Sequence, residues 1–180
     1  MVRITSNKTG IIQILPIGCM TEKEYNECVN LYADNVYRFI VKNLRHEDDA
    51  KDVVQASFEK LWINREKVEN ERCKSYLFTV AYHQMIDLIR KNKRVNLQDD
   101  FSFSKATTNE PQHNLKKILN DALYRLSETQ RGLVLLKDYE GYTYEEIAVI
   151  TSLSVSQVKV YLHRARIQLK NYLVKPENVI

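Results

Sequence analysis

Glycine and proline are scarce, with 4 and 3 respectively in 180 residues, too few turn formers for a fold built of many short strands. Cysteine is also sparse: Cys19, Cys28 and Cys73 are odd in number and widely spaced, without the paired spacing of a zinc or redox site. They read as reduced thiols of a cytosolic protein. His46, His83, His113 and His163 are equally scattered, so no metal site assembles from spacing, and neither a metal nor a cofactor is expected. The apolar stretch from Ile11 to Ile17 is too short to cross a bilayer, and it lacks the charged start and small-residue cleavage pattern of a signal peptide. A cytoplasmic location follows as the expectation.

Charge of neither sign dominates: 27 Lys and Arg face 23 Asp and Glu, so a polyanionic partner is permitted by net charge without being required by it. Abundant Leu, Ile, Val, Lys, Glu and Arg favour helices, and the expected fold class is all-α. Periodicity divides the chain into residues 1–20, an extension of unknown role; 21–94, a helical domain of three to four helices; 95–114, a flexible linker; and 115–175, a four-helix domain. Met20 stands immediately before the first cap and is a candidate translation start.

In the first domain, Thr21 and Glu24 form a capping-box pattern ahead of Tyr25, Cys28, Val29, Tyr32, Val36 and Ile40 at helical spacing. A second helix starts at the acidic pair Asp48 and Asp49 and carries Val53, Val54, Phe58, Leu61 and Trp62 on one face. After a polar loop from Asn64 to Lys74, a third helix from Ser75 to Lys93 buries Leu77, Val80, Ala81, Leu88 and Ile89. It also sets Tyr76, Phe78 and Tyr82 ahead of Arg90, Lys91, Lys93 and Arg94, an arrangement suited to stacking single-stranded bases while cations track phosphates. Each aromatic serves equally well as core. The linker, rich in Ser, Thr, Asn, Asp and Gln, ends at Pro111.

Three further capping boxes follow in the second domain: Ser127 with Gln130, Thr143 with Glu146, and Ser154 with Gln157. Gly141 is placed to end the helix containing Leu133 and Leu136. The last two capped helices are only a few residues apart, which is helix-turn-helix spacing. Val155, Val158, Leu162, Ala165 and Leu169 give the final helix an inward stripe, leaving Ser156, Gln157, Lys159, Val160, His163, Arg164 and Arg166 outward. That hydrogen-bonding and cationic set matches the base edges and phosphates of a DNA major groove. Arg164 and Lys159 are the candidates for base contact, Arg166 and Lys170 for phosphates.

The segments DDAKDVVQASFEKLW, SYLFTVAYHQMIDLIRKNKR, RLSETQRGLVLLKDYEGYTYEEIA and VSQVKVYLHRARIQL, in that order, resemble an extracytoplasmic-function sigma factor of bacterial RNA polymerase, of the sigma-70 family, over about Thr21 to Leu173. The resemblance implies no catalysis and no small-molecule substrate. It implies docking on the clamp helices of core RNA polymerase through Asp49, Asp52, Val53 and Gln55, and contact of the first helices of the second domain with the polymerase flap. It further implies melting and reading of the minus-ten element by Asn70, Tyr76, Asp87, Arg90, Lys91 and Arg94, with the Asn64 to Lys74 loop holding a flipped base. Ser156, Gln157, Lys159, Val160, His163, Arg164 and Arg166 would read the minus-thirty-five element of promoter DNA. Asp99 and Asp100 would be an acidic stand-in for RNA, and a membrane-linked anti-sigma factor would mask these surfaces. The chain departs from the usual pattern at Ala56, where an acidic residue is common, at His83 for Asn, at Tyr161 for Arg, and at Ser152, where the turn often has Gly.

Three rival readings stand beside this one: a helix-turn-helix regulator without sigma activity, a hydrolase built on the acidic helix, and a protein-interaction module. The hydrolase would need convergent metal ligands that the spacing does not supply.

Overall fold

The computed structural model describes residues 2–6, 12–16, 20–96 and 111–174. Its order is a β-hairpin, three long helices forming a first lobe, and four helices forming a second. The hairpin pairs β1 (Val2–Ser6) with β2 (Ile12–Pro16) antiparallel, Ile4 opposite Ile14. It lies in the extension for which the sequence suggests no role, and it adds two strands to a molecule otherwise helical in its lobes.

Helix α1 (Glu22–Leu44) begins at the expected capping box: the Thr21 hydroxyl accepts from the Glu24 amide, while the Glu24 carboxylate accepts from the Thr21 amide at 2.8 Å. It ends at Arg45, which takes a left-handed conformation with φ of 60°. Helix α2 (Glu47–Asn64) is capped by the His46 ring, whose Nδ1 accepts from the Asp49 amide, with three acidic residues in its first turn complementing the helix dipole. Two short 3-10 turns, Arg65–Lys67 and Asn70–Arg72, then lead into α3 (Cys73–Asn96). The segment read as a polar loop is thus mostly turn structure, pinned by buried Val68 and Cys73. Met20 joins the same lobe, buried and with its amide donating to the Arg65 carbonyl at 2.9 Å.

The second lobe opens with α4 (Pro111–Tyr124), which begins earlier than the expected Leu115. Pro111, taken as the close of the linker, occupies the first helical position, where its missing N–H loses nothing and its fixed φ suits the helix. The linker residues Asp99 and Asp100 lie outside the described residues. Helix α5 (Glu128–Val134) continues through a π-helical turn, Leu135–Tyr139, and stops before Gly141, whose φ of +79° only glycine adopts without penalty. Then come α6 (Tyr144–Thr151) and α7 (Val155–Leu173), each started by its expected capping box.

In α3, Phe78 and Tyr82 are buried, so both belong to the core, whereas Tyr76 is half-buried. Leu88 and Ile89 are only partly covered, and Trp62, expected inside, is 37 % exposed, with its ring edge-on to Tyr25 at 4.9 Å and beside the Arg65 guanidinium. Cys28 and Cys73, distant in sequence, meet through a thiol–thiol hydrogen bond. That bond, with burial, pushes the Cys28 thiol up; in Cys73 the same bond lowers the thiol against the opposing effect of burial.

The sequence suggests two domains tethered by a linker, but here they share one core. The Phe78 ring packs against Phe39 at 5.4 Å within the first lobe and against Tyr142 of the second at 5.3 Å. Helix α3 lies along α6, and α1 touches α5.

Candidate nucleic-acid interface

The outward face of α7 follows from its inward one. Val158, Leu162 and Ala165 are buried, fixing the helix about its axis, so Ser156, Gln157, Lys159, Val160, His163, Arg164 and Arg166 are all exposed. Helix α6 precedes it across a turn at Ser152, which takes φ of 57° and ψ of 32°. The Leu153 amide closes that turn on the Ala148 carbonyl at 3.1 Å. The sequence places Ser where glycine is common, and the structure puts it in the left-handed region, where a Cβ is disfavoured.

Within the set, the side chains are held differently. Arg166 is engaged by Asp138 of the π-turn at 2.6 Å, and this hydrogen bond raises the guanidinium pKa further. It therefore flanks the face, tied to its own lobe, while Arg164 and His163 project from it. Lys159 and Lys137 both approach the Tyr144 ring, at 5.6 and 4.8 Å. Lys137 and Tyr144 were not singled out in the sequence, because their approach to Lys159 runs across the helix-turn-helix and has no local periodicity. Ile167, seven residues beyond Val160, shares its face and is 46 % exposed.

On the first lobe, Arg90, Lys91 and Arg94 are exposed near the end of α3, and Arg90 lies 3.9 Å from Asp87 in an open i,i+3 pair. Asn70 is exposed in the second 3-10 turn, which leads into the α3 N-terminus. Tyr76 sits between, its ring partly against the core. On α2, Asp52 and Gln55 are exposed and Asp49 half-buried. Val53 is 6 % exposed and belongs to the core, beneath the exposed residues of α2. The exposed apolar groups of α2 are Trp62 and Ile63. Among the described residues no group of three or more His, Cys, Asp or Glu is arranged to hold a metal. No described helix is long and apolar enough to cross a membrane.

Comparison with known proteins fits this architecture. Residues 28–95 match the family described as sigma-70 region 2, and residues 116–169 match sigma-70 region 4. The chain is 31% identical to RNA polymerase sigma factor SigV of Bacillus subtilis, over 79% of this chain and 89% of the relative. It is 29% identical to the ECF RNA polymerase sigma factor SigM of the same organism, over 81% and 92%. Among solved structures, the sigma factor RpoE in complex with the anti-sigma factor NepR from Bartonella quintana superposes with a TM-score of 0.71 at 26% identity, covering 84% of this chain and 97% of that one. Two family segments in the expected order, on two helical lobes with a helix-turn-helix at the end, make this chain a member of the sigma-70 family, an extracytoplasmic-function RNA polymerase sigma factor that directs transcription initiation.

Proposed function

We propose that the work of promoter recognition is divided between two surfaces of this chain. The outer face of α7 reads the minus-thirty-five element, with Arg164, His163, Lys159 and Val160 toward base edges and Ser156 and Gln157 beside the backbone at the capped N-terminus. The observation that carries this is the simultaneous exposure of all these side chains on one face of the second helix of a helix-turn-helix. Arg166, held by Asp138, serves a backbone contact at the edge of that face.

The minus-ten element falls to the first lobe. Arg90, Lys91 and Arg94 follow phosphates, Asn70 and the 3-10 turns receive an extruded base, and the half-buried Tyr76 offers a ring edge beside them. Asp87 sets the position of Arg90. Because Phe78 and Tyr82 are in the core, Tyr76 is the one aromatic of the three available for stacking. Asp49, Asp52 and Gln55 dock on the clamp helices of core polymerase, and the first helices of the second lobe, with Leu119 exposed at 49 %, meet the flap. No catalytic step belongs to the chain: binding energy spent on extruded bases favours the melted promoter.

The protein is proposed to act in the cytoplasm and to be restrained by a membrane-linked anti-sigma factor. Two of the solved structures it resembles, RpoE and CnrH, are complexes with an anti-sigma factor and with the cytosolic domain of CnrY respectively. In vitro transcription from genomic templates with core polymerase tests the reading. The wild-type chain should direct initiation, and Arg90→Ala should bind polymerase normally yet form fewer open complexes. Normal promoter opening by that variant would remove Arg90 from the site.

A further inference from the structure

A single buried cysteine commonly acts as a small apolar side chain and carries no further meaning. Cys28 and Cys73 are instead a pair. Cys28 lies on α1 and Cys73 opens α3, both are buried in the core of the first lobe, and their thiols are hydrogen-bonded to each other. Two further observations place them together. The Tyr32 phenol, one turn beyond Cys28, feels the charge of both thiols, and α1 touches the 3-10 turn Asn70–Arg72 that ends at Cys73. Neither thiol belongs to the surfaces assigned above.

The two sulfurs are chemically unequal. The hydrogen bond from Cys28 lowers the Cys73 thiol, burial opposes it, and the Lys74 amide adds to the lowering, so a thiolate is favoured at the start of α3. The same hydrogen bond, with burial, keeps the Cys28 thiol protonated. One sulfur is thus disposed to attack and its neighbour to resolve the product. Their position gives the pair a consequence. The Cys73 amide donates to the Asn70 carbonyl and closes the turn. A disulfide holds its sulfurs about 2 Å apart, closer than hydrogen-bonded thiols lie, so forming one draws the start of α3 toward α1 and pulls on that turn.

We infer that Cys28 and Cys73 are an oxidation site for hydroperoxides, closing to a disulfide that distorts and fixes the Asn70–Arg72 turn and so lowers promoter melting. The effect on melting rests on the sigma-factor reading, in which that turn receives an extruded base; the disulfide itself does not. The Cys73 thiolate attacks one oxygen of hydrogen peroxide: the S–O bond forms, the O–O bond breaks, and the departing hydroxide takes up the proton that the thiol released, leaving as water. The Cys28 sulfur then attacks the sulfenic sulfur. The S–S bond forms, the S–O bond breaks, and hydroxide leaves with the Cys28 proton as a second water, two electrons having passed from the thiols to the peroxide. Local opening of the turn gives so small an oxidant access to Cys73.

Lys23 and Arg38 bracket Cys28, and Arg72 and Lys74 bracket Cys73, so trypsin places these two and Cys19 on three separate peptides. The folded full-length chain, treated with hydrogen peroxide, blocked with N-ethylmaleimide and digested without reductant, should yield the Cys28 peptide joined to the Cys73 peptide, with Cys19 blocked. Dithiothreitol should undo the link. The unfolding midpoint of the oxidised chain should rise by about 5 °C or more, because the bridge restricts the unfolded chain. A chain that stays reduced, or that joins Cys19 to either partner instead, overturns the site, and because neither polymerase nor DNA is present this outcome is independent of the sigma-factor reading. After catalase has removed the peroxide, oxidised and reduced chains are mixed with untreated core polymerase. Both should bind it equally, while the oxidised chain forms open complexes at least about fivefold less often, with recovery in dithiothreitol. Cys28→Ala, or Cys73→Ala should the first fail to fold, should open promoters equally with and without peroxide treatment. Equal opening by the bridged and reduced wild type, or a cysteine variant that remains as peroxide-sensitive as the wild type, overturns the effect on melting.

Discussion

Two residues of the helix-turn-helix, Arg164 on its second helix and Ser152 in its turn, carry opposite expectations under substitution. Arg164 is exposed on the outer face of α7, and if it makes a bidentate contact to a base its loss removes both affinity and discrimination. Arg164→Ala should weaken promoter binding by about 1–3 kcal/mol and relax preference at one base position, read by competition binding against single-base variants of the site. An equal loss on every sequence would assign the side chain to the phosphate backbone. Ser152 instead bears on stability. Its φ of 57° disfavours a Cβ, and its hydroxyl makes an exposed contact with His83, so Ser152→Gly should stabilise the fold by up to about 1 kcal/mol. Thermal unfolding followed by circular dichroism should show a midpoint higher by about 3 °C, and a lower midpoint would mean that the His83 contact outweighs the backbone conformation.

At the level of elements, the N-terminus of α5 is where electrostatics and packing are coupled. Glu128 stands in its first turn, and the hydrogen bond from Lys93, opposed in part by desolvation, holds its carboxyl below the usual range, with the charge of Arg131 adding to the effect. A lowered pKa means that the ionised form is preferred in the folded chain, so its contribution is complete above the ordinary carboxylate value of about 4.3 and disappears as pH falls through the lowered one. Because Lys93 is 63% and Glu128 32% exposed, the pair is screened and should contribute under about 1 kcal/mol. Glu128→Gln should therefore reduce stability slightly at neutral pH and flatten the acid limb of the stability–pH curve; an unchanged acid limb would show that the pair contributes nothing. Elements of this kind were legible in advance wherever the signal is local. All four capping boxes, the Gly141 stop and the inward stripe of α7 depend on residues within a few positions of each other, and the sequence carries them. The π-turn at Leu135–Tyr139, the burial of Val53, and the burial of Phe78 and Tyr82 but not of Tyr76 depend on what packs against them from elsewhere, and periodicity alone leaves those undecided.

Across the whole molecule the least legible feature is the contact between lobes, since nothing near Arg131 or Gly132 in sequence announces that α1 ends beside them. The two kinds of interaction at that contact respond differently to salt, and so does DNA binding. Lys93 with Glu128 and Arg45 with Asp121 are partly solvated ion pairs that counterions screen. The hydrogen bonds from Arg131 and Tyr124 to the end of α1, and the Phe78–Tyr142 packing, are buried or nearly so and feel little screening. Promoter affinity, by contrast, includes the release of counterions from phosphates, and neutralising about six of them would lower it by roughly a thousandfold between about 50 and 200 mM salt. Raising salt over that range should therefore leave the radius of gyration of the free chain nearly constant while promoter binding by the holoenzyme falls steeply. If the free chain instead expanded in step with the loss of DNA binding, the surface ion pairs would be the contacts that hold the lobes together, and the buried guanidinium would be a passenger in an interface governed by charge.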